Sequence, residues 1–93
     1  MQKITDEIDK ISCIIGGKNI VSAIYQDLSI KSFAVSLRIV EEEVHQFYFE
    51  RIGYCALINT KHLSSVTGKR VIQLRNGIRF KVSRKKWELF KNT

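Results

Sequence analysis

The stretch from Ile72 to Val82 constrains this chain more than any other. Ile72 and Leu74 alternate with Gln73 and Arg75; after Asn76-Gly77, Ile78, Phe80 and Val82 alternate with Arg79 and Lys81. Period-two alternation on both sides of a turn dipeptide predicts a β-hairpin with one apolar and one basic face. The register follows from the faces. A two-residue Asn-Gly loop would set Leu74 opposite Arg79 and mix them. A three-residue loop, Arg75-Asn76-Gly77, sets Leu74 opposite Ile78 and Ile72 opposite Phe80. The hairpin therefore calls for a type I turn with Gly77 in the left-handed region, forming a bulge.

A hairpin needs something to pack against, and 93 residues allow one small domain. A hydrophobic fraction of 44% and a charged fraction of 27% suit a folded chain. Without proline and with five glycines, no linker of familiar composition interrupts residues 1–93, of which 1–10 read as a polar lead-in. The spacing of Ile4, Ile8 and Ile11 leaves two readings open, a helical turn or a polar approach to a strand. Strands are predicted over Ile11–Ile15, Ile20–Tyr25, Ile30–Val35, Phe47–Ile52, Ala56–Asn59 and Ser64–Thr67. Ser36 can cap a helix in which Leu37, Val40 and Val44 share a face and Glu41, Glu42 and Glu43 are solvated. Ser83 can cap a last helix, Arg84–Phe90. Trp87, Phe80, Phe90 and Phe49 fall on apolar faces and read as core; Tyr25 and Tyr54 are the aromatics considered as surface contacts.

Charge is unevenly placed. Residues 1–50 carry five basic and eight acidic side chains, a net of −3; residues 51–93 carry eleven basic ones and only Glu88, a net of +10. So basic a segment repels itself unless an anion neutralises it, and nucleic acid is the leading partner, ahead of a merely solubilising basic surface and of an anionic membrane. Arg84, Lys85 and Lys86 crowd the start of the last helix, where cations oppose the helix dipole by tenths of a kcal/mol. A solvated basic turn tolerates this; an external phosphate or base acceptor would compensate it, and the adjacent basic face, Arg79 and Lys81, favours the second reading.

Other chemistry finds little support. Cys13, Cys55, His45 and His62 show no ligand spacing, so no metal or cofactor is expected. No third group orients a Cys–His pair, and consecutive glutamates on a helix point apart, so no enzyme activity is expected. Gly16-Gly17-Lys18 lacks the rest of a phosphate loop. Both cysteines have apolar neighbours and read as buried, reduced thiols. The charged first residues suit no secretion leader, and no apolar run approaches a membrane span, so a cytoplasmic setting without membrane contact is expected.

Several segments resemble the LytTR family, bacterial DNA-binding domains found at the end of many response regulators. Phe49-Glu50-Arg51-Ile52-Gly53-Tyr54-Cys55-Ala56-Leu57-Ile58-Asn59 is similar to its central Phe-x-Arg-[Ile/Val/Cys]-[His/Gly]-x-Ser-x-[Leu/Val]-[Ile/Val]-Asn motif. Leu74 to Lys86 resembles its closing pattern: a strand, Asn/Asp-Gly, a strand, then Val-Ser-Arg-Arg. Ile11–Asn19 and Ser36–Glu42 resemble two further segments in the same order. The resemblance implies a mainly β fold with short helices, α+β by content. It would be elongated and antiparallel, with the family's first strand pair shortened. It implies a transcriptional regulator that reads double-stranded DNA, with loops entering successive major grooves. By matching position, Lys18 and Asn19 would reach one major groove. Arg51 would meet phosphate, and Tyr54 would lie over the backbone or minor groove. Ser83, Arg84 and Lys85 would enter the next major groove, with Lys86 nearby. Arginine or lysine can donate to guanine O6 and N7, and asparagine can pair with adenine. The sequence departs from the family at Gly53, Tyr54 and Cys55, often histidine, a polar residue and serine. A shortened sheet would expose an edge through which a homodimer could form. A second reading makes the chain an interaction module that binds or titrates a full-length regulator. Single-stranded RNA binding would need more exposed aromatics.

Overall fold

The structure is a computed structural model that describes residues 3–91. Ile4–Lys10 winds in 3-10 turns, interrupted at Glu7 (φ −126°, ψ 39°). Ile4 and Ile8 are both buried. The expected polar lead-in is thus, over its described residues, a helical element with an inward apolar face. Eight strands follow: β1 (Ile11–Gly16), β2 (Val21–Tyr25), β3 (Ile30–Phe33), β4 (Phe49–Arg51), β5 (Ala56–Asn59), β6 (Leu63–Thr67), β7 (Val71–Leu74) and β8 (Arg79–Lys81). Helix α1 (Leu37–Val44) lies between β3 and β4, and the short α2 (Arg84–Trp87) follows β8.

The strands form two antiparallel sheets, ordered β3-β2-β1-β5-β4 and β6-β7-β8. Alternation sorts the five-stranded sheet into two faces. Ile14, Val21, Ala23, Tyr25, Phe49 and Leu57 pack under Ile4, Ile8 and the Leu37–Val40–Val44 face of α1. From the other face, Cys13, Ala56 and Ile58 pack against Ile72, Leu74, Val82 and Phe90. The domain is therefore three layers: helical turns, large sheet, small sheet. Its extents, 41 × 25 × 19 Å, are elongated. Central β1 is covered on both sides, which is why Cys13, Ile14 and Ile15 follow one another with no polar residue between them.

Two polar side chains inside this core are satisfied. A bulge where Ile11 gives way to Cys13 turns Ser12 aside. Its Oγ donates to Gln26 Oε1 (3.0 Å) and lies 2.9 Å from His62 Nδ1. Asn59 Nδ2 donates to the Ile11 carbonyl (3.1 Å), and its Oδ1 accepts from Lys61 N (3.0 Å).

The C-terminal hairpin keeps the register read from its faces. Ile72 pairs with Phe80. Leu74 N donates to the Ile78 carbonyl, and Gly77 has φ +94°. Both serine caps form: Ser36 Oγ accepts from Ile39 N, and Ser83 Oγ from Lys86 N. Phe49 and Phe90 are buried, while Phe80 and Trp87 are half-buried against the second core.

Other expectations need correction. The strand expected from Phe47 starts at Phe49. α1 must reverse into β4, and it does so through a 3-10 turn, His45–Phe47, and a left-handed Tyr48 (φ 70°). The β2 strand omits Ile20, whose carbonyl closes a turn from Gly17 N (3.2 Å) and whose side chain is exposed. The strand expected over Ile30–Val35 ends at Phe33, and the last helix ends at Trp87, with turns carrying Phe90 inward. Tyr25 is not a surface aromatic; it is buried on the helical side of the sheet.

Cys55 is the other correction. Its apolar neighbours point inward from β5, but it lies in the bend before that strand and is exposed, whereas Cys13 is buried. Burial pushes the Cys13 thiol up to about 12. Since the thiolate is the nucleophile, Cys13 is inert at neutral pH. A thiol-reactive reagent should modify Cys55 alone in the native domain and both cysteines in denaturant, as read by mass spectrometry.

Candidate nucleic-acid interface

β1, β3 and β4 end, and β2 and β5 begin, at one end of the large sheet. The pairings Gly16–Val21, Ile15–Ala56, Val21–Phe33 and Arg51–Leu57 fix this geometry. The connections there are the 17–20 turn, the approach to α1 and the 52–55 bend. They are bonded to one another. Gly16 N donates to the Cys55 carbonyl (3.0 Å), and Leu37 N to the Gly17 carbonyl (2.8 Å). Ser83 N donates to the Ile52 carbonyl (2.9 Å), which brings the start of α2 to the same place. Ile52 is buried and N-bonded to the Ala56 carbonyl, so this anchor is rigid.

Arg51 organises the centre. Its Nε donates to the Gly53 carbonyl (2.9 Å), Nη1 to Glu41 Oε1 (2.8 Å) and Nη2 to the Tyr54 carbonyl. A planar guanidinium can serve three acceptors in fixed directions; an ammonium cannot. The bend is thus clamped from inside, and Tyr54 stands 97% exposed at its tip. Arg51→Ala should cost about 1–2 kcal/mol, from loss of charge-assisted hydrogen bonds. It should also loosen the 52–55 bend, with raised amide exchange confined to those residues; Arg51→Lys should recover only part.

Two clefts meet at Tyr54. One, of about 500 Å³, is lined by Glu41, Arg51, Gly53, Tyr54, Ser83, Arg84, Lys85 and Lys86. The other, of about 670 Å³, is lined by Gly17, Lys18, Ser36, Leu37, Arg38, Ile39, Arg51 and Tyr54. Seven of the residues singled out in the sequence thus gather here: Lys18, Arg51, Tyr54 and Ser83 to Lys86. Asn19 is exposed next to Lys18. Arg79 and Lys81 line neither cleft. They stand on the outer face of the small sheet, where Arg79 Nε donates to Gln73 Oε1 (2.9 Å). Arg38 was not among the expected contacts. Its only sequence sign is a basic residue beside the buried Leu37, at a position a helix leaves to solvent. The clefts hold six cations and one carboxylate, and that carboxylate is bound by Arg51. A surface of this sign attracts a polyanion.

The family model described as the LytTr DNA-binding domain matches residues 4–93. The chain belongs to the LytTR family. It is accordingly a DNA-binding domain. Among solved structures, it is similar to the LytTr DNA-binding domain of a Bacillus cereus protein described as a methyl-accepting/DNA response regulator. The TM-score is 0.76 over 97% of this chain and 90% of that one, at 18% identity. At that identity the likeness is one of fold. No curated protein matches in sequence. Within this LytTR domain no described helix is long and apolar enough to cross a membrane.

Proposed function

We propose that this LytTR domain binds double-stranded DNA in a sequence-specific manner and regulates transcription without catalysis. Lys18 and Asn19 enter one major groove, and Ser83, Arg84 and Lys85 enter the next. Arg79, Lys81 and Lys86 hold phosphates, supplying affinity without reading sequence. Arg51 acts from within, positioning the bend that carries Tyr54 over the stretch between.

The observation that carries this reading is the bonding of the basic segments into one surface. The Gly17–Leu37, Gly16–Cys55 and Ile52–Ser83 hydrogen bonds order them before any ligand arrives. Preorganisation lowers the entropic cost of docking.

Selection from a random duplex pool at two salt concentrations tests the reading. Enrichment of two sequence blocks about one helical turn apart is expected, with affinity falling steeply as salt rises. A pool that stays random at both salts, with the protein bound, would leave only nonspecific DNA binding.

A further inference from the structure

We infer that Arg38 is a minor-groove reader, placed between the two loops that enter major grooves. The inference rests on the duplex-binding reading above and names a residue which that reading leaves unassigned. Arg38 lines the same cleft as Lys18 and Tyr54, and Tyr54 also lines the cleft that holds Arg84 and Lys85. Tyr54 thus lies where the two clefts meet, with Arg38 beside it in the cleft on the first loop's side. Two loops in successive major grooves on one face of a duplex straddle a minor groove, so the element between them faces it.

Three features single out Arg38 among the central residues. Arg51 lies beside it but is consumed by Glu41 and two backbone carbonyls. Arg38 is exposed and has no ion pair among the described residues. It also occupies the first turn of α1, where no acidic residue balances it and the helix dipole disfavours a cation. A local choice that works against the fold points to a role outside it. The Leu37 N to Gly17 carbonyl bond holds that turn against the first loop, so the side chain starts from a fixed base. Arginine is suited to a narrow, A·T-rich minor groove, whose negative potential attracts it. A G·C pair places the guanine N2 amino group in its way.

The test uses the full chain and three duplexes that share the two selected blocks and differ only in the spacer: A·T, G·C or I·C pairs. Inosine removes the N2 amino group while keeping the major-groove pattern of guanine. The unaltered chain should bind the A·T and I·C spacers alike and the G·C spacer about tenfold more weakly. Arg38→Ala should weaken binding to the first two and erase the difference, leaving block preference and thermal melting unchanged. Arg38→Lys should keep the charge and lose most of the discrimination. Equal loss on all three spacers for Arg38→Ala would make Arg38 a phosphate contact and overturn the proposal alone. So would indifference of the unaltered chain to the spacer. Failure of the unaltered chain to bind any of the duplexes would overturn the duplex reading as well.

Discussion

Replacing Gly16 with alanine should destabilise the domain by about 3 kcal/mol and disorder the first DNA-facing loop. The cost is steric. A Cβ at Gly16 would lie 2.5 Å from the Ile20 carbonyl oxygen and 2.7 Å from Val21 Cα. Both are backbone atoms, one at the end of the 17–20 turn and one at the start of β2, so no rotamer change relieves the contact. β1 and β2 would have to part at their last pair, Gly16–Val21. The displacement would travel along bonds already described. Gly16 N holds the Cys55 carbonyl, Gly17 N closes the turn on Ile20, and the Gly17 carbonyl anchors Leu37 N. Lys18, Asn19 and the start of α1 would shift together. Gly17→Ala is the control, because a Cβ there meets nothing within 4 Å. Urea denaturation should show a lowered midpoint for the first variant and little change for the second. Equal midpoints would mean that β2 yields at no cost.

The contrast between these adjacent glycines shows where sequence reading stops. Both look like turn residues in Gly16-Gly17-Lys18-Asn19; only the approach of β2 separates them. Legible features were those carried by short-range periodicity. The 72–82 hairpin has a register set by its own faces, and Ser36 and Ser83 cap helices within three residues. Illegible features depend on partners distant in sequence. Cys55 and Tyr25 were misplaced because neighbouring residues do not tell which side of a bend another segment covers. The motif position of Arg51 implies a phosphate contact. Its acceptors include Glu41, ten residues earlier and on another element. The composition of the candidate site was legible as a basic second half, but its arrangement was not. Lys18 and Arg38 belong to the acidic half and reach the basic surface only through the β1–β5 pairing and the Gly17–Leu37 bond.

Loss of both Arg84 and Lys85 as alanines should reduce binding to a selected duplex by at least about thirtyfold, since each good bidentate base contact contributes about 1–3 kcal/mol of discrimination. The fold should survive. Both side chains are exposed, and α2 is anchored by other groups: Ser83 N on the Ile52 carbonyl, the Ser83 cap and buried Phe90. The character of the loss matters more than its size. If these side chains read bases, the double variant should lose more affinity for the selected duplex than for random DNA. Its preference should then vanish at one of the two blocks and persist at the block read by Lys18 and Asn19. Lys81→Ala makes the comparison sharp. It removes one cation from the outer face of the small sheet, so it should weaken specific and random duplexes alike. It should also lower the salt dependence by about one phosphate's worth. Proportional losses on specific and random DNA for Arg84 and Lys85 would place them with Lys81 as phosphate contacts. Sequence discrimination would then rest on the first loop and on the shape of the DNA between the blocks.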